Sequence, residues 1–224
     1  RRLCKNCQNY TKKKTFDEGN NIITIRAIDE FNNYNEKTIN FFIDSKEPKI
    51  KKVDPTRGFS NGTFLIEYEE ENLKQINLYY KNNLVTNTSC PSGKKERCLF
   101  NIDLSPYEDQ EVSYYFEIED IAGNKDASKN YTITSDTKPS LIIINEPLNK
   151  TYNKYVIFNI TLDSEADLRY IENNKERILC NRCFEYGFTK QEKKRFSEGL
   201  HNLTIISIDK AGNSDTKDIQ LEVI

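Results

Sequence analysis

The chain has no tryptophan, no methionine and one histidine, and only 8 glycines and 6 prolines in 224 residues. A single histidine, His201, rules out every paired-histidine metal motif. No nucleophile motif surrounds it, so general-base chemistry has nothing to work with. The sparse glycines form no phosphate-cradling loop. An excess of one charge is also missing. The 33 basic and 35 acidic residues are interspersed and sum to −2, which leaves no basic footprint for nucleic acid. No apolar run is long enough to span a bilayer, and no stretch of these residues reads as a signal peptide. Without methionine the sequence reads as a mature or excised piece. With 36% hydrophobic and 30% charged residues, each core must be thin, and the 13 Tyr and 12 Phe must supply its bulk.

What the chain does have is repetition. Residues 16–33, 107–124 and 196–213 align without a gap and bring Asp29, Asp120 and Asp209 to one position, 91 and 89 residues apart. Such a period is too long for a solenoid and matches a string of small independent domains. In each copy an aromatic and an acidic pair lead into a strand whose inward phase ends on the aspartate. That phase holds Ile23, Ile25 and Ala27, then Tyr114, Phe116 and Ile118, then Leu203, Ile205 and Ser207. A turn follows, with Gly123 and Gly212 suited to positive φ and Asn32 standing in for glycine. A second strand comes next, over 38–43, 131–134 and 218–224, so each copy is predicted to be a β-hairpin.

The pattern Phe-x-Glu-Gly, an alternating strand, then Asp-x-x-Gly-Asn resembles the C-terminal hairpin of immunoglobulin-like domains in bacterial and archaeal surface proteins. The resemblance covers essentially the whole sequence in repeated form. It implies an all-β chain of tandem Ig-like β-sandwich domains that act as spacers or adhesive modules in large cell-surface proteins. It brings no catalytic residues, so the expectation is a non-enzyme. The matched junctions at 44–48 and 136–139 divide the chain into 1–46, 47–137 and 138–224. Strands are expected at 49–53, 64–69 and 75–80, and again at 141–144, 155–162 and 168–171. Residues 1–44 match only the closing half of a domain. Either the chain was cut there, or another segment supplies the opening strands, a neighbouring subunit included.

The cysteines form three local pairs, Cys4/Cys7, Cys90/Cys98 and Cys180/Cys183, in one equivalent loop of each repeat. An even count paired within repeats reads as disulfides in an oxidising compartment. The rival is a four-thiolate zinc site from Cys4, Cys7, Cys180 and Cys183, drawn from repeats far apart in sequence. Asn-x-[Ser/Thr] triplets at Asn9, Asn61, Asn87, Asn130, Asn149, Asn159 and Asn202 are candidate N-glycan sites, and Asn159 and Asn202 fall on the solvent phase of their strands. Accumulation of triplets by drift in an Asn-rich proteome is the competing reading.

Asp29, Asp120 and Asp209 are expected to accept N–H groups from the turns behind them. The alternative is calcium bound at domain ends, the one cofactor considered. His201 is expected at the surface, and the run Glu69, Glu70, Glu71 on a solvated face or loop, with calcium again the alternative. The function expected is that of a structural extracellular protein: a surface layer, stalk or filament component meeting other copies of itself or other surface proteins. The alternatives are an adhesin or a non-catalytic accessory region of a secreted hydrolase.

Overall fold

The computed structural model describes residues 2–224, and almost all regular structure in it is strand. The first two strands, β1 (Gly19–Ile28) and β2 (Tyr34–Ile43), pair antiparallel from Gly19 opposite Ile43 to Ile28 opposite Tyr34. The middle block holds β3 (Lys49–Asp54), β4 (Phe59–Ser60), β5 (Thr63–Glu70), β6 (Leu73–Tyr80), β7 (Asn83–Asn87), β8 (Gly93–Asn101), β9 (Glu111–Asp120), β10 (Lys125–Ala127) and β11 (Tyr131–Ser135). The last block holds β12 (Ile142–Glu146), β13 (Thr151–Tyr152), β14 (Tyr155–Glu172), β15 (Lys175–Tyr186), β16 (Glu192–Arg195), β17 (Gly199–Ile208) and β18 (Ser214–Val223).

In the middle block a sheet ordered β3-β5-β8 faces one ordered β4-β11-β9-β6-β7, with β10 on β9. The alternation in β5 places Phe64, Ile66 and Tyr68 at zero exposure, and they meet Ile76 and Leu78 of β6 and Phe116 and Ile118 of β9. Each such side chain removed from water contributes about 1.5–3 kcal/mol. Phe116 touches Phe100 edge-on at 5.2 Å, so Phe116→Ala would open a cavity costing about 3–5 kcal/mol.

The last block repeats this scheme with fewer breaks. Its sheet runs β12-β14-β17-β18-β13, with β15 and β16 also paired to β14. Val156, Phe158, Ile160, Leu168, Leu203 and Ile205 form its core. Residues 155–162 and 168–171, expected as two strands, are one strand of 18 residues with register shifts between Thr161 and Arg169. In the middle block Asn72 turns the chain, its N–H donating to Glu70 Oε1 at 2.6 Å. The corresponding stretch, residues 163–167, has no Asn, Gly or Pro to do so, and the strand passes through with a bulge.

Three further expectations are corrected. Cys4, Cys7 and Cys90 lie outside the strands, but Cys98 lies in β8 opposite Ile66, and Cys180 and Cys183 lie in β15 opposite Leu168 and Ala166. The charged run of β8 hid its alternation. Glu70 is buried because it falls on the inward phase of β5. His201 is also buried, since it shares the phase of Leu203; its ring nitrogens lie 2.5 Å from Glu172 Oε1 and 2.9 Å from the Ser197 carbonyl.

Candidate functional site

Each repeated hairpin turns on an aspartate. Oδ1 of Asp29, Asp120 and Asp209 accepts the N–H two residues on (Phe31, Ala122, Ala211) at 2.8–2.9 Å. It also accepts the N–H four residues on (Asn33, Asn124, Asn213) over the same range. Oδ2 accepts Nδ2 of that same asparagine at 2.8, 2.7 and 2.9 Å. The residue between them is left-handed, with φ of 67° at Asn32, 90° at Gly123 and 88° at Gly212. Only glycine or asparagine takes that conformation cheaply, which explains the residues found there. Both carboxylate oxygens are occupied by N–H donors. Bonding to Asn33 holds the Asp29 carboxyl below its ordinary range.

In the second and third copies the asparagine does more. Asn124 Nδ2 also donates to the carbonyl of Asp44 at 3.1 Å, and Asn213 Nδ2 to the carbonyl of Asp136 at 2.8 Å. Asp44 and Asp136 are the matched residues that close the preceding block, so the turn of one repeat grips the segment arriving from the one before. A second grip comes from the upstream side. Glu18 accepts the N–H of Ser45 at 3.1 Å and also the Ser45 hydroxyl. Glu108 accepts the N–H and hydroxyl of Thr137 at 2.9 and 2.5 Å. A third follows downstream, where Ile50 N–H donates to Asp126 at 2.8 Å and Ile142 N–H to Asp215 at 2.9 Å. Ser45 and Thr137 occupy the same place after Asp44 and Asp136, and Asp126 and Asp215 the same place after Asp120 and Asp209.

Carboxylates crowd these joints, and their titration follows the contacts. The hydroxyl of Ser45 lowers Glu18, and that of Thr137 lowers Glu108. Burial, reinforced by Asp209 and Glu108, raises Asp136. Burial also raises Glu70, with Asp44 and Asp120 adding to it. The open groove at the first joint carries both signs, with Lys46 and Lys94 beside Glu18, Asp44 and Glu70. Among the described residues no group of three or more His, Cys, Asp or Glu is placed to hold a metal ion.

The three cysteine pairs stand at disulfide distance, with Cα separations of 6.2, 5.5 and 6.1 Å for Cys4/Cys7, Cys90/Cys98 and Cys180/Cys183. Cys90/Cys98 lies where the chain crosses from the partner of β6 to the partner of β5, and Cys180/Cys183 lies at the register shift between β15 and β14. Asn9, Asn130, Asn149 and Asn202 are exposed, while Asn61, Asn87 and Asn159 are half-buried. Asn87 differs from the others because its Nδ2 points at Cys98 Sγ, 3.5 Å away. The sequence reading singled out the three aspartates but passed over Glu18, Glu108, Asn124, Asn213, Asp126 and Asp215. Asn124 with Asn213 and Asp126 with Asp215 recur at the repeat spacing, which was the signal for them, whereas Glu18 and Glu108 sit one position apart in the aligned copies, within the recurring acidic pair. No helix of the described residues is long and apolar enough to cross a membrane.

No family model and no curated protein sequence matches this chain. Among solved structures it is similar to the fibronectin(III)-like modules of Clostridium thermocellum CbhA, at 11% identity and a TM-score of 0.43, over 79% of this chain and 93% of that one. It is similar to the FN1-FN3 domains of chicken CNTN1, at 13% identity and 0.45, over 88% and 76%. It is also similar to the N-terminal Ig1-2 module of the Drosophila receptor protein tyrosine phosphatase DLAR, at 12% and 0.31, over 80% and 100%. These likenesses extend no further than fold; the strand pairings themselves make the chain all-β, with its middle and last blocks each closed around a core of their own.

Proposed function

We propose that this chain is a non-enzymatic, load-bearing segment of an extracellular surface protein, built from units 1–46, 47–137 and 138–224 and stiffened at its joints. The observation that carries this reading is the repeated grip on the connecting segment. Glu18 with Asn124, and Glu108 with Asn213, hold matched Asp-[Ser/Thr]-Lys connectors from both sides. A connector bonded to both neighbours transmits orientation, whereas a solvated one lets units swivel. Disulfides at the three cysteine pairs and glycans on the exposed sequons fit an oxidising exterior, where thin cores gain from covalent closure. Other copies of the chain or other surface proteins are the partners such a segment would meet.

Two measurements test it. Intact mass of the secreted protein should show no alkylation before reduction and six additions after it, with glycan mass at exposed sequons and none at Asn87. Six free thiols and a bare polypeptide mass would remove the extracellular reading. Small-angle scattering should be fitted by a single conformer, and a freely jointed ensemble would remove the mechanical one.

A further inference from the structure

The hairpin β1–β2 exposes a face that both complete blocks bury. At a constant offset, Ile25 corresponds to Ile205, Ile39 to Ile219 and Phe16 to Phe196. Ile205, Ile219 and Phe196 are 0%, 6% and 8% exposed, whereas Ile25, Ile39 and Phe16 are 43%, 39% and 40% exposed. Phe16 lies against Phe41 at 4.8 Å, which begins a cluster that nothing completes. What covers this face elsewhere is the same both times. The first strand of the hairpin takes an antiparallel partner on its free edge, β6 on β9 and β14 on β17. The second takes a short parallel partner at its end, β4 on β11 and β13 on β18. Among the described residues neither β1 nor β2 has such a partner.

We infer that the β1–β2 face is a docking surface for one occupant, the opening half of an Ig-like unit, a polypeptide patterned like residues 138–176. The register follows from the last block. Asp167 to Ile171 pair with Ile208 to Thr204, so the incoming strand runs antiparallel along Ile28 to Thr24 of β1. Thr151 and Tyr152 pair with Glu222 and Val223, so a short parallel strand settles at Phe42 and Ile43 of β2. Alternate side chains of the long strand, apolar as Leu168 and Tyr170 are, then flank Ala27 and Ile25, and an apolar run like Val156, Phe158 and Ile160 packs with Phe16, Ile25 and Ile39. Backbone pairing on the open edges supplies affinity and the apolar alternation supplies register. A two-stranded ribbon alone is marginal in water, so occupancy also decides whether residues 16–43 are firmly folded. This inference rests on the internal repeat and stands apart from the reading of the joints.

The test is hydrogen exchange on the 224-residue protein, alone and with a synthetic peptide of residues 138–176 in excess. A second arm grafts that segment ahead of residue 1. Amides of β1 and β2 should exchange more than about tenfold slower in the complex or in the graft. Ile25→Asp with Ile39→Asp should abolish the gain. Ile22→Asp, on the opposite face, should leave it intact. The inference falls if neither arm protects β1 and β2. It also falls if they become protected in the peptide-free protein simply by raising its concentration, which would make a second copy the occupant.

Discussion

Asn213→Ala tests whether the joints are held or merely adjacent. The side chain bonds inside its turn to Asp209 Oδ2 at 2.9 Å and across the joint to the Asp136 carbonyl at 2.8 Å, with the Lys138 carbonyl at the limit of reach at 3.5 Å. The first is charge-assisted, worth about 1.5–3 kcal/mol, and the second is a neutral bond worth about 1 kcal/mol. Only the second bears on orientation, so the population of swivelled joints should rise about fivefold while the last unit loses about 2 kcal/mol. The two effects separate by comparison with Asp209→Asn, which removes the charge but leaves the Asn213 amide able to reach Asp136. Both variants should lower the melting temperature of the last unit. Only Asn213→Ala should broaden the interdomain distance distribution seen by scattering or by paired spin labels. Adding Asn124→Ala should broaden it at the other joint independently, because the two joints share no contact residues. If Asn213→Ala destabilises the unit but leaves the distribution unchanged, the grip across the joint contributes nothing and the mechanical reading fails.

The acid dependence of the second joint should divide by sign. Glu108 is lowered by Thr137, so its contribution is full above its ordinary 4.5 and is lost as pH falls through the depressed value; Glu108→Gln should cost stability at pH 7, with the gap closing in acid. Asp136 is raised by burial, so its charge costs stability increasingly as pH climbs from its ordinary 3.8 through the raised value; Asp136→Asn should stabilise at pH 7 and be neutral below 3.8. Melting temperatures against pH check both, and parallel curves for wild type and variants would refute the assignment. Two glycines separate conformational strain from collision. Gly212→Ala meets only Asn61 Nδ2 at 3.7 Å and should cost about 1 kcal/mol for its left-handed φ. Gly187→Ala would bring its Cβ to 1.9 Å from the Phe158 carbonyl and should cost about 3 kcal/mol or more. Denaturant midpoints of the two variants decide this, and equal losses would contradict it.

The repeat made much of the fold legible in the sequence. Period-two alternation ending on Asp120 and Asp209 specifies a strand with one buried face, and the same alternation before Asp29 marks a face that β1 leaves exposed. The residues after it specify a turn that needs a left-handed position, and φ at Asn32, Gly123 and Gly212 follows. Both depend on local sterics and spacing, which a linear chain displays. The burial of His201 and Glu70 was legible too, had phase been weighed above residue type. What tertiary structure alone decided is which groups meet across long separations. Asn213 reaches the Asp136 carbonyl from 77 positions away and Asp215 reaches Ile142 N–H from 73, and no local pattern encodes that a side chain closing its own turn has a second amide hydrogen to spare. The same holds for the open edges of β1 and β2. Pairing partners are chosen by the whole sheet, and the sheet exists only after the chain has folded.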